Sequence, residues 1–192
     1  MAMPDTARRY TVDEVLAFQP DGNRYELVDG ALLVTPAPRV RHHVVLSRLL
    51  ERLSRYLELR DDLQALLSPA DIRWPDEVLV QPDLFVAPVA ELTAEDWSSV
   101  RTLVLAVEVV SPSSSRYDRV TKRRVYQAHG VATYWVVDPD ARLVEVWTPG
   151  DSRPEIVTDV LRWRVGEASD ELAIGLADLF AGPPPPPPSP TP

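Results

Sequence analysis

Three side chains in this sequence are of types and in places that could do chemistry: Asp83, Glu108 and Lys122. Glu108 interrupts an otherwise apolar run, Leu103-Val-Leu-Ala-Val107 before it and Val109-Val110 after it. Such a run predicts a strand covered on both faces. An ionised carboxylate there is costly unless it is paired, hydrogen-bonded or bound to a metal. It also lies near the strand's C-terminal end, just before Ser111-Pro112-Ser113, where open α/β sheets carry ligands. Asp83 has similar surroundings, directly after Pro82 within Val78 to Val86. Proline inside an apolar strand marks an edge or a bulge that re-aims the next side chain. If the two strands are neighbours, the carboxylates converge, and an all-oxygen pair suits a hard cation such as Mg²⁺, with Mn²⁺ as a substitute. Lys122 is the only lysine, against nineteen arginines. A chain that uses arginine for its other cations keeps a lysine where a compact ammonium is needed. Each residue also has a plainer reading: an arginine partner for Glu108, a turn cap for Asp83, chance survival for Lys122.

The elements that must position these residues follow from periodicity and punctuation. Thr11-Val-Asp-Glu14 has capping-box spacing and starts a short helix that ends before Pro20-Asp-Gly22. Strands at 24–28 and 31–35 around Asp29-Gly30 form an N-terminal hairpin. From 40 to 60, Leu46, Leu49, Leu50, Leu53 and Leu57 recur at helical spacing, while Arg41, Arg48, Arg52 and Arg55 fall within about 60° of one another on a separate face. Strands follow at 66–74, 78–86 and 103–110. The serines 111–115 offer N-caps for a helix over 116–129 that Gly130 ends. On that helix Lys122 shares a face with Asp118, Val125, Tyr126 and His129, away from Arg116, Arg119 and Arg123. A second hairpin, 133–137 and 143–148, a strand near 156–163 and a closing segment at 174–181 complete the pattern.

Length and 45% apolar content fit one domain over 1–182, followed by a disordered polyproline tail at 183–192. No apolar stretch approaches the roughly 20 residues that span a bilayer. The N-terminus has no signal-peptide core, and with no cysteine the chain reads as cytoplasmic. A net charge of −9 argues against nucleic-acid binding through net charge alone, but the charge is segregated. Residues 39–60 carry six Arg against two Glu, and 101–126 five Arg and one Lys against one Glu and one Asp. Those segments could face a polyanion, or they could be ordinary solvated helix faces.

Pro82-Asp83, Glu108-Val-Val-Ser-Pro-Ser113, Asp118, Lys122, Tyr126, Gly130 and Tyr134-Trp-Val-Val-Asp-Pro139 occur in an order that resembles the Uma-two family of putative restriction endonucleases, within the PD-(D/E)xK nuclease superfamily. Tyr25-Glu-Leu-Val-Asp-Gly30, the stretch from Pro36 to His42 and Leu176-Ala-Asp-Leu-Phe180 extend the likeness over residues 10–181. The resemblance implies an α/β (α+β) restriction-endonuclease-like core, a mixed central β-sheet flanked by helices. It further implies that Asp83 and Glu108, with the Val109 carbonyl and Glu26, hold Mg²⁺. The superfamily motif would put a lysine at position 110, where this chain has Val110, so Lys122 on the following helix is its displaced counterpart. The resulting expectation is a Mg²⁺-dependent endonuclease acting on DNA. Lys122 would activate or orient water, Tyr126 would fix the lysine rotamer, Asp118 and His42 would support the site, and Arg41, Arg48, Arg52 and Arg55 would track phosphates. Cutting both strands of a duplex would favour a homodimer. The alternative is a nucleic-acid-binding or interaction module on the same fold with little or no catalysis.

Overall fold

The computed structural model of the chain describes residues 8–35, 39–75, 77–111, 114–166 and 170–182. The expected tail at 183–192, and Pro36 to Pro38, Pro112 and Ser113 of the motifs above, lie outside them.

The capping box forms at the start of α1 (Val12–Leu16): the Thr11 amide donates to Glu14 Oε2 at 2.9 Å and the Glu14 amide donates back to Thr11 Oγ1 at 3.3 Å. The hairpin of β1 (Arg24–Val28) and β2 (Ala31–Thr35) turns through Asp29 and Gly30, both at positive φ (50° and 75°), the conformation a two-residue hairpin turn requires. On its other edge β1 pairs with β5 (Val78–Val80), and β5 with β4 (Ile72–Trp74), giving an antiparallel sheet in the order β2-β1-β5-β4.

The larger sheet has the order β10-β9-β8-β7-β6-β3, built from β3 (Leu63–Leu67), β6 (Leu84–Pro88), β7 (Leu105–Val109), β8 (Thr133–Asp138), β9 (Leu143–Trp147) and β10 (Glu155–Val157). Only β7 and β8 run parallel; the other pairs are antiparallel, so the sheet is mixed as expected. A parallel pair needs a crossover. Here it is the helical stretch α3 (Ser115–Tyr117), a π-helical turn Asp118–Lys122 and α4 (Arg123–Ala128).

One face of this sheet, including Leu84, Val86, Leu105, Val107, Val109 and Val137, packs on α2 (Val40–Leu57), the small sheet of β11 (Val160–Trp163) and β12 (Leu172–Gly175), and α5 (Leu176–Leu179). α2 buries Leu46, Leu49, Leu53 and Leu57, each fully buried leucine contributing about 2 kcal/mol. The opposite face, with Phe85, Ala106, Tyr134 and Val136, packs on Val125 and Tyr126 of α4 and on Trp74 and Val80 of the smaller sheet. Glu108 alternates with Val107 and Val109, which fixes it on this second face.

Three expected strands are each divided between sheets. The 66–74 stretch becomes β3 and β4, 78–86 becomes β5 and β6, and 156–163 becomes β10 and β11. Pro82 is therefore neither bulge nor edge: Gln81-Pro82-Asp83 carries the chain from one sheet to the other, and a residue without an N–H sits where no ladder continues. The 174–181 segment likewise joins the end of β12 to α5.

Candidate active site

The β6–β7 register sets the site. Leu84 lies opposite Val107 in an antiparallel pair, which brings Asp83 and Glu108 side by side at the end of the ladder. Asp83 Oδ2 accepts from the Val109 amide at 2.8 Å, and its Oδ1 accepts from Arg24 NH1 at 2.7 Å, with His42 Nε2 at 3.5 Å from the same oxygen. Burial alone would raise this carboxyl, but His42, Arg24 and Lys122 outweigh it and hold Asp83 well below the ordinary carboxylate range. Asp83 is thus a permanent anion although only 4% exposed.

Glu108 is 2% exposed, and its Oε1 accepts from Lys122 Nζ and from the Tyr126 hydroxyl, both at 2.8 Å. Lys122 Nζ also lies 2.7 Å from Glu26 Oε1 and 3.8 Å from Asp118 Oδ1. Desolvation would favour the neutral amine, but Glu108, Glu26 and Asp118 more than reverse it and hold the ammonium proton well above the usual lysine range. Burial pushes Glu108 upward against the pull of Lys122, with Asp83, Asp118 and Glu26 adding to the push; Asp118 is pushed up to about 6 by burial. The π turn gives the local reason for Lys122's placement. An i→i+5 turn replaces the regular ladder, and Asp118 and Lys122 at its two ends are both buried.

Glu26 comes from β1. Its Oε1 also accepts the Gln81 amide at 2.8 Å, which fastens the crossover before Asp83 to the hairpin. Arg24, two residues earlier on the same face of β1, donates from NH1 to the Gln81 carbonyl at 3.2 Å as well as to Asp83. Sequence reasoning missed Arg24. The signal was its period-2 spacing from Glu26.

These groups line a cavity of about 490 Å³, bounded by Leu33 and Thr35 of β2, Arg39, Arg41 and His42 at the start of α2, Val109, Val110, Ser111 and Ser114, and Pro139 and Asp140. Arg24, Glu26, Asp83, Glu108, Asp118 and Lys122 also line it. Of the arginines on α2 expected to track phosphate, Arg41 lies at this cavity, paired with Asp140 at 2.7 Å and bonded to the Pro139 carbonyl. Arg48 points elsewhere and is spent on structure, donating to the carbonyls of Leu179, Ala181 and Gly182. Arg55 pairs with Glu51 at 3.0 Å, and Arg52 is exposed away from the cavity lining. Arg39 and Arg24 join Arg41 at the cavity lining. Tyr126 bonds Glu108 and so positions the carboxylate rather than the lysine.

Among the described residues no three Asp, Glu or His side chains are set as a ready metal cage. The donor chemistry nonetheless fits Mg²⁺, which needs one or two carboxylates and keeps its remaining sites for water and phosphate. Four carboxyl groups, Glu26, Asp83, Glu108 and Asp118, line the cavity beside Arg24 and Lys122, so oxygen donors of the kind a divalent ion takes are gathered in one place.

The fold is shared with a solved structure: the chain superposes on the crystal structure of a putative nuclease belonging to DUF820 from Anabaena variabilis ATCC 29413 with a TM-score of 0.74 and 22% identity, covering 89% of this chain and 97% of the other. Residues 12–175 match the model of the Uma2 family, described as "Putative restriction endonuclease", and the chain belongs to that family. No curated protein matches it. No helix among the described residues is long and apolar enough to cross a membrane.

Proposed function

We propose that the protein is a divalent-metal-dependent endonuclease that hydrolyses phosphodiester bonds of DNA, with Asp83, Glu108 and Lys122 as its catalytic residues. The observation that carries this reading is the convergence of Asp83, Glu108 and the lone lysine at one cavity edged by arginines. Mg²⁺, or Mn²⁺ in its place, would be held by Asp83, Glu108 and the carbonyl of Val109, and Glu26, which shares Lys122 with Glu108, would add a further carboxylate. When bound it polarises the phosphate and lowers the pKa of a coordinated water.

Each remaining role falls to a side chain already in place. Lys122, kept protonated by its three carboxylates, orients the attacking water and offsets the charge that builds on the phosphorus centre. It donates protons and cannot take one in this state, so a base role belongs to a carboxylate or to the phosphate itself. Tyr126 holds the Glu108 rotamer, Asp118 steadies the ammonium, and His42 stands beside Asp83. Arg39 and Arg41 at the rim bind flanking phosphates, contacts that position a strand without reading its sequence. Cutting both strands of a duplex in one encounter would favour a homodimer.

The test joins metal binding to cleavage. Mg²⁺ or Mn²⁺ raises the melting temperature of the native chain and leaves Asp83→Ala unmoved; no response in either overturns the metal site. Supercoiled plasmid, single-stranded DNA and RNA are then incubated with the native chain and with Lys122→Ala. Plasmid nicking by the native chain that the variant lacks is expected, and cleavage at the native rate in Lys122→Ala overturns the lysine's role.

A further inference from the structure

Both carboxylates of the site already have an internal cation. Lys122 takes Glu108, and Arg24 takes Asp83 at 2.7 Å. The two partners differ in freedom. Lys122 is 2% exposed and ringed by three carboxylates, whereas the Arg24 side chain is 22% exposed and opens on the cavity. Among the described residues, the hydrogen bonds of Arg24 to Asp83 and to the Gln81 carbonyl both leave from NH1, while a guanidinium has five N–H donors in a planar fork that fits phosphate. Asp83 Oδ2 is held by the Val109 backbone amide, fixed in β7, whereas Oδ1 is covered by the movable Arg24 side chain, with His42 Nε2 at 3.5 Å, so Oδ1 is the oxygen an incoming cation can uncover.

We propose that Arg24 is an internal counter-ion of the metal site: a divalent cation displaces it from Asp83 Oδ1, and the freed guanidinium binds a phosphate oxygen of the substrate. The inference rests on the metal reading of the site given above. Physically, Arg24 keeps a buried anion neutralised while the site is empty, and the exchange swaps one cation for another at the same oxygen. The cost of leaving Asp83 is offset because the guanidinium moves to a second anion only when that anion has arrived.

The experiment titrates Mn²⁺ alone into the full-length native chain, Arg24→Gln and Arg24→Lys by calorimetry, with melting temperatures of the metal-free proteins in parallel. Arg24→Gln removes the competitor, so its Mn²⁺ affinity rises about tenfold, equivalent to about 1.4 kcal/mol, although the metal-free variant melts lower. Arg24→Lys, which keeps the charge and loses the fork, binds Mn²⁺ more tightly than the native chain by a smaller factor and keeps the test readable if Arg24→Gln does not fold. Affinity for a single-stranded oligonucleotide in Ca²⁺ falls in Arg24→Gln. Native binding of Mn²⁺ that both variants weaken overturns the counter-ion role while leaving the metal site standing. Absence of Mn²⁺ binding in all three proteins overturns the metal site and the proposal with it.

Discussion

Two ion clusters hang from the same helical stretch, and they are built alike but placed differently. At Lys122 one ammonium meets Glu108, Glu26 and Asp118 inside the protein. At Arg119, three residues earlier, one guanidinium meets Glu145 and Asp138, with a further bond to Ser115, and is 27% exposed. The Arg119 cluster is closed. Its carboxylates are answered by the guanidinium fork, by Trp147 Nε1 on Glu145 and by the amides of Asp140 and Ala141 on Asp138. The Lys122 cluster is buried more deeply and lines a cavity. The Arg119 network holds strands β8 and β9 to the helix, whereas the Lys122 network gathers carboxyl groups at a cavity wall. Burial and a place on the cavity wall therefore separate the two clusters, and the number of ion pairs does not.

Breaking the buried cluster should have the largest effect. Lys122→Met leaves Glu108 and Glu26 without their cation and should cost about 3–5 kcal/mol in a denaturant melt, together with loss of cleavage. Tyr126→Phe removes one of two donors to Glu108 Oε1 and should cost about 1 kcal/mol, with lower cleavage because the carboxylate loses its rotamer lock. Arg119→Gln should cost at most about 1 kcal/mol and leave the cleavage rate untouched. A large loss of cleavage in that variant would erase the distinction between the two clusters.

The smallest effect sharpens the comparison through pH. The folded chain holds the Asp118 proton more tightly than the unfolded chain does, about 6 against 3.8. The stability this supplies is complete below about 3.8 and is lost as pH rises through about 6, and Glu108 acts with the same sign. Asp118→Asn should flatten the stability profile between those values. Asp83, held low, acts oppositely, and its contribution is lost only as strong acid is approached. An unchanged slope in Asp118→Asn would remove Asp118 from the cluster's titration.

Much of this arrangement is legible in the sequence alone. Glu108 had to be paired because its strand left it no water, and it is paired twice. Lys122 was placed on the inner face by helical projection and lies there. The hairpin, α2 and the mixed sheet followed from period and punctuation. Arg48 shows where such reasoning stops: projection put it on a basic face, but the partners that claimed it, the carbonyls of Leu179, Ala181 and Gly182, lie more than a hundred residues away.

What the sequence determined by itself is local: which residues alternate, which cap, which charge is too costly to bury alone, and which family motifs stand in order. The split of 78–86 at Pro82, the register that sets Asp83 beside Glu108, and the arrival of Glu26 and Arg24 from β1 were decided only by the tertiary structure. Apolar patterning reports that a strand is buried but not which ladder it joins, and only the choice of ladder brings Glu26 and Glu108, on separate strands, to one lysine.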